Sequence, residues 1–205
     1  TGVRAVTCLS GADVWRAADA GRWSVDLANA ALAAIESGPG RLDRDQVEDP
    51  HVFLLEYIDG TRGTVLMLGD TGYVSKFAYA GRRGDTINAC ELHTDTGPNH
   101  AHFSYFGRNI EDFFLTGTAP SPVERTLLTT GMLEAVMISH HQGGARIDTP
   151  HLDVTYTASH TPTPRPSAAR PHGASLEPVL LPEPGTTPAA VMIPSGRDGT
   201  VRKKS

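Results

Sequence analysis

Four side chains between positions 93 and 102 form the densest set of candidate ligands in this sequence: His93, Asp95, His100 and His102. Imidazole nitrogens and a carboxylate at short spacing are zinc or iron ligands in principle. Bringing all four together requires the Asp95–Asn99 loop to turn their side chains inward. A plainer arrangement has His93 ending a strand, His100 opening a helix and His102 packing or facing solvent, because structural metal sites usually show a clearer ligand spacing. A substrate contact by one of them is the other reading, and the four stand as candidate substrate-binding residues, with no metal site and no catalytic residue assigned. His140 and His141 lie near the end of a helical stripe, where a cation favours the helix dipole. His151 and the pair Glu124-Arg125 read as structural. No Ser/His/Asp or Cys/His arrangement can be defended from spacing alone.

A dinucleotide site needs a glycine turn between strand and helix, so that backbone N–H groups can approach a pyrophosphate. No G-x-G-x-x-G occurs, and Gly38-Pro39-Gly40 leads into a charged loop. No cofactor-binding residue is expected in this chain.

The elements that must position such groups follow from periodicity. Val3–Leu9 reads as a strand, Gly11–Ala20 as a short helix anchored by Trp15, and Val25–Glu36 as a helix capped by Ser24. In that second helix Leu27, Ala31, Leu32 and Ile35 share a face. His51–Ile58 is a strongly apolar strand, with alternation irregular enough for burial on both faces. Asp59-Gly60 is a type I′ hairpin signal. Thr64–Leu68, Tyr73–Ala80 and Thr86–His93 complete an expected antiparallel meander of four strands. A helix over about Ala101–Leu115 carries Phe103, Phe106, Ile110, Phe113 and Phe114 on one face.

The stretch from Ser121 to Tyr156 reads as capped helix, glycine stop, then strand. Ser121 is placed as N-cap, Pro122 as first helical residue and Glu124 as capping-box partner. Val123, Leu127, Leu128, Met132, Leu133, Val136 and Met137 form an apolar stripe, and Gly143-Gly144 ends the helix. Pro150 interrupts the final strand and points to an edge or a bulge. The expected fold class is α+β: a largely antiparallel, open-faced sheet of about six strands with helices packed on one face.

The chain has 205 residues, 39% of them hydrophobic, and a formal charge of -5. That balance gives no electrostatic footprint for nucleic acid. No apolar run approaches the ~20 residues that span a bilayer, so no membrane partner is expected. Cys8 and Cys90 read as buried thiols, which makes the cytoplasm the default compartment. After Tyr156 the composition changes: Ala158–Ser205 holds nine prolines and no Phe, Tyr or Trp. A domain over 1–157 followed by a disordered tail over 158–205 is expected.

The run Ser121–Tyr156 closely resembles the end of the C-terminal domain of Gfo/Idh/MocA-type oxidoreductases, the glucose-fructose oxidoreductase and inositol dehydrogenase family. The resemblance is most specific over His102–Tyr156, including His102-Phe103-Ser104-Tyr105 and the TPHLD segment at His151. It extends more weakly to Gly2–Leu9, Gly21-Arg22-Trp23-Ser24 and Phe53–Leu68. It implies the substrate-pocket and assembly domain of an enzyme that moves hydride between NAD or NADP and a sugar- or polyol-like substrate, with homo-oligomer contacts through the open sheet face. The family's Rossmann half comes first in the chain and is not in this sequence, so the fragment is expected to be inactive alone. The family's Glu-Lys-Pro signature is also absent; Glu48-Asp49-Pro50 has an acid where the lysine would stand. Two other readings compete: a non-catalytic sheet module binding a sugar-like ligand or a partner chain, and a metal-dependent enzyme using the His93–His102 cluster.

Overall fold

The computed structural model describes residues 1–69, 73–92, 101–157, 192–195 and 200–203. The chain divides into two compact units, one formed by Thr1–Thr94 with Ser121–Ser159 and the other by Asp95–Pro120 with His160–Ser205. The fold class is α+β, as the periodicity predicts.

In the first unit, β1 (Val3–Ser10) leads into α1 (Ala12–Asp19) and α2 (Val25–Ala33). Then come β2 (His51–Tyr57), β3 (Arg62–Met67), β4 (Phe77–Arg83), β5 (Thr86–Leu92), α4 (Val123–His141), the two-residue β6 (Ile147–Asp148) and a 3-10 turn at Pro150–Leu152. Four strands form one antiparallel sheet in the order β3-β2-β1-β6. Among the described residues, β4 and β5 pair only with each other, so the expected four-strand meander breaks between β3 and β4. The hairpin packs on α2 instead, with Val74 and Ala78 joining the core beneath that helix.

Helices cover both faces of the β1–β2 pair rather than one. Val6 and Cys8 lie opposite Leu55 and Phe53, and this face packs with Leu128, Ala135, Val136 and Leu152. Thr7 and Leu9 lie opposite Leu54 and Val52, and the other face packs with Val14, Ala17, Trp23 and Leu32. That explains the irregular alternation of β2: a strand buried on both sides has no polar face to alternate with. α1 is seated by Val14, fully buried, and Ala17. Trp15, the expected anchor, is only half-buried at the edge of this core, while Trp23 is buried and donates its indole N–H to the Val14 carbonyl at 2.9 Å. α2 starts as expected, with Ser24 Oγ accepting from the Leu27 N–H, but it ends at Ala33.

The β2–β3 turn is a hairpin of another type than expected. Gly60 N–H bonds the Tyr57 carbonyl and Tyr57 N–H bonds the Thr61 carbonyl, with positive φ at Gly60 and not at Asp59. A type I′ turn needs positive φ at both central residues. This three-residue loop with a left-handed glycine spares aspartate that strain.

α4 begins at Val123 with Pro122 as N-cap and no side-chain capping bond, so Ser121 does not cap it. The Pro122 carbonyl accepts from the Arg125 N–H instead. The buried face of α4 runs through Leu128, Gly131, Ala135, Val136 and Ser139. Leu127, Leu133 and Met137 of the expected stripe are exposed. Small residues, Gly131, Ala135 and Ser139, share the contact with Leu128 and Val136, because the helix lies close to β1 and Leu152. The glycine stop is as expected: Gly143 and Gly144 both have positive φ, and Gly144 N–H returns to the Ser139 carbonyl at 2.8 Å.

Ser139 also completes the sheet. β6 pairs with β1 only at Ala5 and Val6, and the Cys8 N–H beyond it donates to Ser139 Oγ at 2.8 Å. The serine in turn donates to the Ala145 carbonyl at 2.6 Å. Ser139→Ala leaves the buried Cys8 N–H and the half-buried Ala145 carbonyl without that partner and is expected to cost about 1–3 kcal/mol. A denaturant midpoint equal to wild type would show that another group satisfies Cys8. Pro150 sits at the first position of the 3-10 turn, and β6 is the sheet edge, which matches the expectation drawn from that proline.

In the second unit, α3 (Ala101–Thr116) exposes Phe103, Phe106 and Phe114. Within 158–205 the described residues are two short strands, β7 (Met192–Ser195) and β8 (Thr200–Lys203), paired antiparallel. Residues 158–191 lie outside the described residues.

Candidate functional site

Of the four expected substrate-binding residues, His93, Asp95 and His100 lie outside the described residues. His102 falls in the first turn of α3, with its side chain outside the description. Their convergence is not part of the described structure. Among the described residues, no three His, Cys, Asp or Glu side chains are placed to hold a metal ion.

A different site emerges in the first unit. A groove of about 850 Å³ opens between α2, β3 and β4. It exists because β3 is the last strand of its sheet and β4 turns to α2 instead of pairing with β3. The apolar wall comes from Leu27, Ala28 and Ala31 of α2, with Leu66 and Ala78. Ser24, Thr61, Thr64, Tyr57 and Tyr79 also line it.

Two tyrosines are placed in the groove by glycines. A Cβ at Gly63 would stand 3.0 Å from the Tyr57 ring, and a Cβ at Gly81 would collide with the Tyr79 ring. Glycine in a strand interior weakens it but permits close approach. Here it lets one aromatic ring lie against β3 and another against β4. Burial, reinforced by the nearby Tyr156 and Asp59, pushes the Tyr57 phenol up, so it stays a neutral hydrogen-bond donor. Tyr79 is more than half exposed.

The charged lining is Arg62, Lys76 and Arg82. Lys76 bonds the Glu91 carboxylate at 3.0 Å and the Glu36 carbonyl at 2.9 Å. Glu91, whose side chain is nearly buried, also accepts from the Glu36 N–H at 2.8 Å. This network ties the hairpin to the segment following α2 and fixes the width of the groove at that end. Arg82 approaches Asp26 at 3.6 Å, both well exposed.

Sequence reasoning missed this groove. The signal was present in Tyr57/Gly63 and Tyr79-Ala80-Gly81, but a meander in which β3 and β4 pair leaves no space between them. A second unforeseen neighbourhood lies at the end of α4. His140 Nδ1 is 4.0 Å from Cys8 Sγ, and the His51 and His140 rings are 5.5 Å apart. Burial pushes the Cys8 thiol up, which keeps it protonated and a poor nucleophile. Cys90, expected to be buried, is exposed on β5, because that hairpin face is uncovered. His140 and His141 occupy the last turn of α4, and His151 is exposed.

Electrostatics elsewhere in the unit are structural. Arg146 meets Glu56 through two hydrogen bonds of 2.8 Å and also pairs with Asp148. Glu56 and Asp148 flank Ala5 on adjacent strands, so the guanidinium spans three strands. The Arg146 hydrogen bonds hold the Glu56 carboxyl below its usual range, against a smaller opposing effect of burial. A depressed carboxylate stabilises the fold above its unfolded pKa and loses that contribution as pH falls through the folded value. Glu56→Gln is thus expected to be less stable than wild type near neutral pH, with the gap closing as pH drops below about 4.5. Paired thermal melts from about pH 3 to about pH 7, roughly the carboxylate titration range, check it. A gap independent of pH would exclude ionisation as its source.

Comparisons with protein-family models, with curated proteins and with solved structures find no match to this chain.

Proposed function

We propose that this chain is the substrate-pocket and assembly domain of an NAD(P)-dependent oxidoreductase acting on a sugar- or polyol-like compound. The observation that carries the reading is the groove, where two tyrosine rings lie against glycines of β3 and β4 and Ser24, Thr61 and Thr64 join the lining. A sugar ring has weakly apolar C–H faces and a polar rim. Tyrosine offers an apolar body with a hydrogen-bonding tip, and such mixed, concave surfaces are the usual form of small-molecule sites. The resemblance of Ser121–Tyr156 to the Gfo/Idh/MocA C-terminal domain supports the redox context and the cofactor, which another part of the enzyme would bind. A reducing, cytoplasmic setting belongs to the same proposal. Among the described residues, no helix is long and apolar enough to cross a membrane.

The assembly role rests on apolar side chains left exposed on β3 and the hairpin: Val65, Met67, Phe77 and Leu92. Exposed apolar clusters mark interaction surfaces, and a second copy of the chain fits the proposed family role. Titration calorimetry with glucose, myo-inositol, NAD and NADP, run beside light scattering, tests the reading. Weak binding of a sugar or polyol that is lost in Tyr79→Ala, no micromolar dinucleotide binding, and a dimer or larger species are expected. Micromolar binding of NAD or NADP would overturn the separation of cofactor and substrate halves. A monomer at high concentration would remove the assembly role.

A further inference from the structure

The groove has a charge character that a neutral polyol does not need. Its described lining contains three cations, Arg62, Lys76 and Arg82, and no Asp or Glu, although the whole chain carries a formal charge of -5. Lys76 is held by Glu91 and the Glu36 carbonyl, so it positions the wall more than it offers charge. The other two differ. Arg62 is exposed at the start of the edge strand β3 and makes no ion pair among the described residues. Arg82 meets Asp26 only at 3.6 Å, with side-chain exposures of 48% and 79%. Exposed pairs of that kind are worth little, so exchanging Asp26 for an incoming anion costs Arg82 little. Guanidinium groups present a planar fork that matches carboxylate and phosphate oxygens and forms hydrogen bonds stronger than neutral ones.

We infer that the groove takes an acidic sugar derivative, one bearing a carboxylate or phosphate group, with Arg62 and Arg82 as its anion contacts and the Tyr57 and Tyr79 rings against the sugar body. This rests on the groove being the sugar site of the proposed function. The anion sets specificity: the neutral analogue leaves two guanidinium groups solvated and gains only the ring contacts.

The full chain is titrated with glucose, glucuronate, glucose 6-phosphate and inorganic phosphate, for wild type, Tyr79→Ala and the double variant Arg62→Gln/Arg82→Gln. Glucuronate or glucose 6-phosphate is expected to bind about tenfold or more tightly than glucose, the scale of one charge-assisted contact. That preference disappears in the double arginine variant, while Tyr79→Ala weakens acidic and neutral sugars alike. The two acidic sugars distinguish a carboxylate from a phosphate ligand. Equal affinity for glucose and both acidic sugars, all weakened by Tyr79→Ala, overturns the anion inference and leaves the sugar groove standing. A preference for acidic sugars that survives the double variant places the anion elsewhere and also overturns it. Binding of inorganic phosphate as tight as glucose 6-phosphate, with no response to Tyr79→Ala, overturns both the inference and the sugar reading beneath it. Both arginines are exposed, so circular dichroism of the double variant is expected to match wild type.

Discussion

Leu152→Ala is expected to destabilise the first unit by about 2–5 kcal/mol, the range for emptying a fully buried leucine site. Leu152 is completely buried and packs with Val3, Val6, Leu128 and Val136. The site has little freedom to collapse, because its walls are a helix, a central strand and the backbone of the 3-10 turn. Gly131 of α4 supplies a sharper test, since a Cβ there would collide with the Leu152 methyl groups. Gly131→Ala gains up to ~1 kcal/mol of helix propensity but crowds a packed core, which typically costs about 1–3 kcal/mol. In the Leu152→Ala background the crowding is gone and only the propensity gain remains, so the same substitution is expected to stabilise. Urea midpoints for the two single variants and the double variant close the cycle. Additive effects would mean that Gly131 and Leu152 do not share the space.

Trp23→Ala is expected to cost about 3–5 kcal/mol, as large aromatic deletions do. Trp23 is 6% exposed, donates to the Val14 carbonyl at 2.9 Å and has its ring 6.3 Å from that of Trp15. Its removal releases the short loop between α1 and α2 and one wall of the groove. Trp15→Ala is expected to cost clearly less. Its ring is half-buried and held from outside by the Arg44 guanidinium at 5.4 Å. Denaturant unfolding of both variants decides the ranking, and a larger loss at Trp15 would reverse the roles assigned here.

The two tryptophans show what was legible in the sequence. Spacing identified helices and strands wherever one apolar face recurs, as in α2, and glycine pairs marked where α4 stops. It failed where a large apolar residue was assumed to mean burial. In α4, Leu127, Leu133 and Met137 face outward, and Gly131, Ala135 and Ser139 join Leu128 and Val136 in the buried face. Small residues carry little hydrophobic signal, yet they allow the close approach that larger ones prevent. Ser121 failed for another reason: Pro122, with φ of -59° and ψ of 141°, takes the capping position and shifts the helix start by one residue. The groove was illegible because it depends on two strands not pairing, and no local pattern records a missing ladder. The His93–His102 cluster stays a sequence expectation, since it falls outside the described backbone or side chains.

β1, first in the chain, is an interior strand of its sheet, flanked by β2 and β6. Its outer side is closed by Ile147, Asp148 and Thr149, and the Cys8 N–H on that side by Ser139. Those partners lie 131 to 146 positions away. A strand that waits for partners so distant must close a very long loop before its contacts reward the entropy, which slows folding. During synthesis β1 and β2 can meet early, but the β1 edge stays bare until the segment through Leu152 has emerged. A bare strand edge is a template for pairing with another chain. Ribosome-bound lengths ending before Ser139 are therefore the ones most open to capture by a neighbouring nascent chain, and release past Leu152 closes that window.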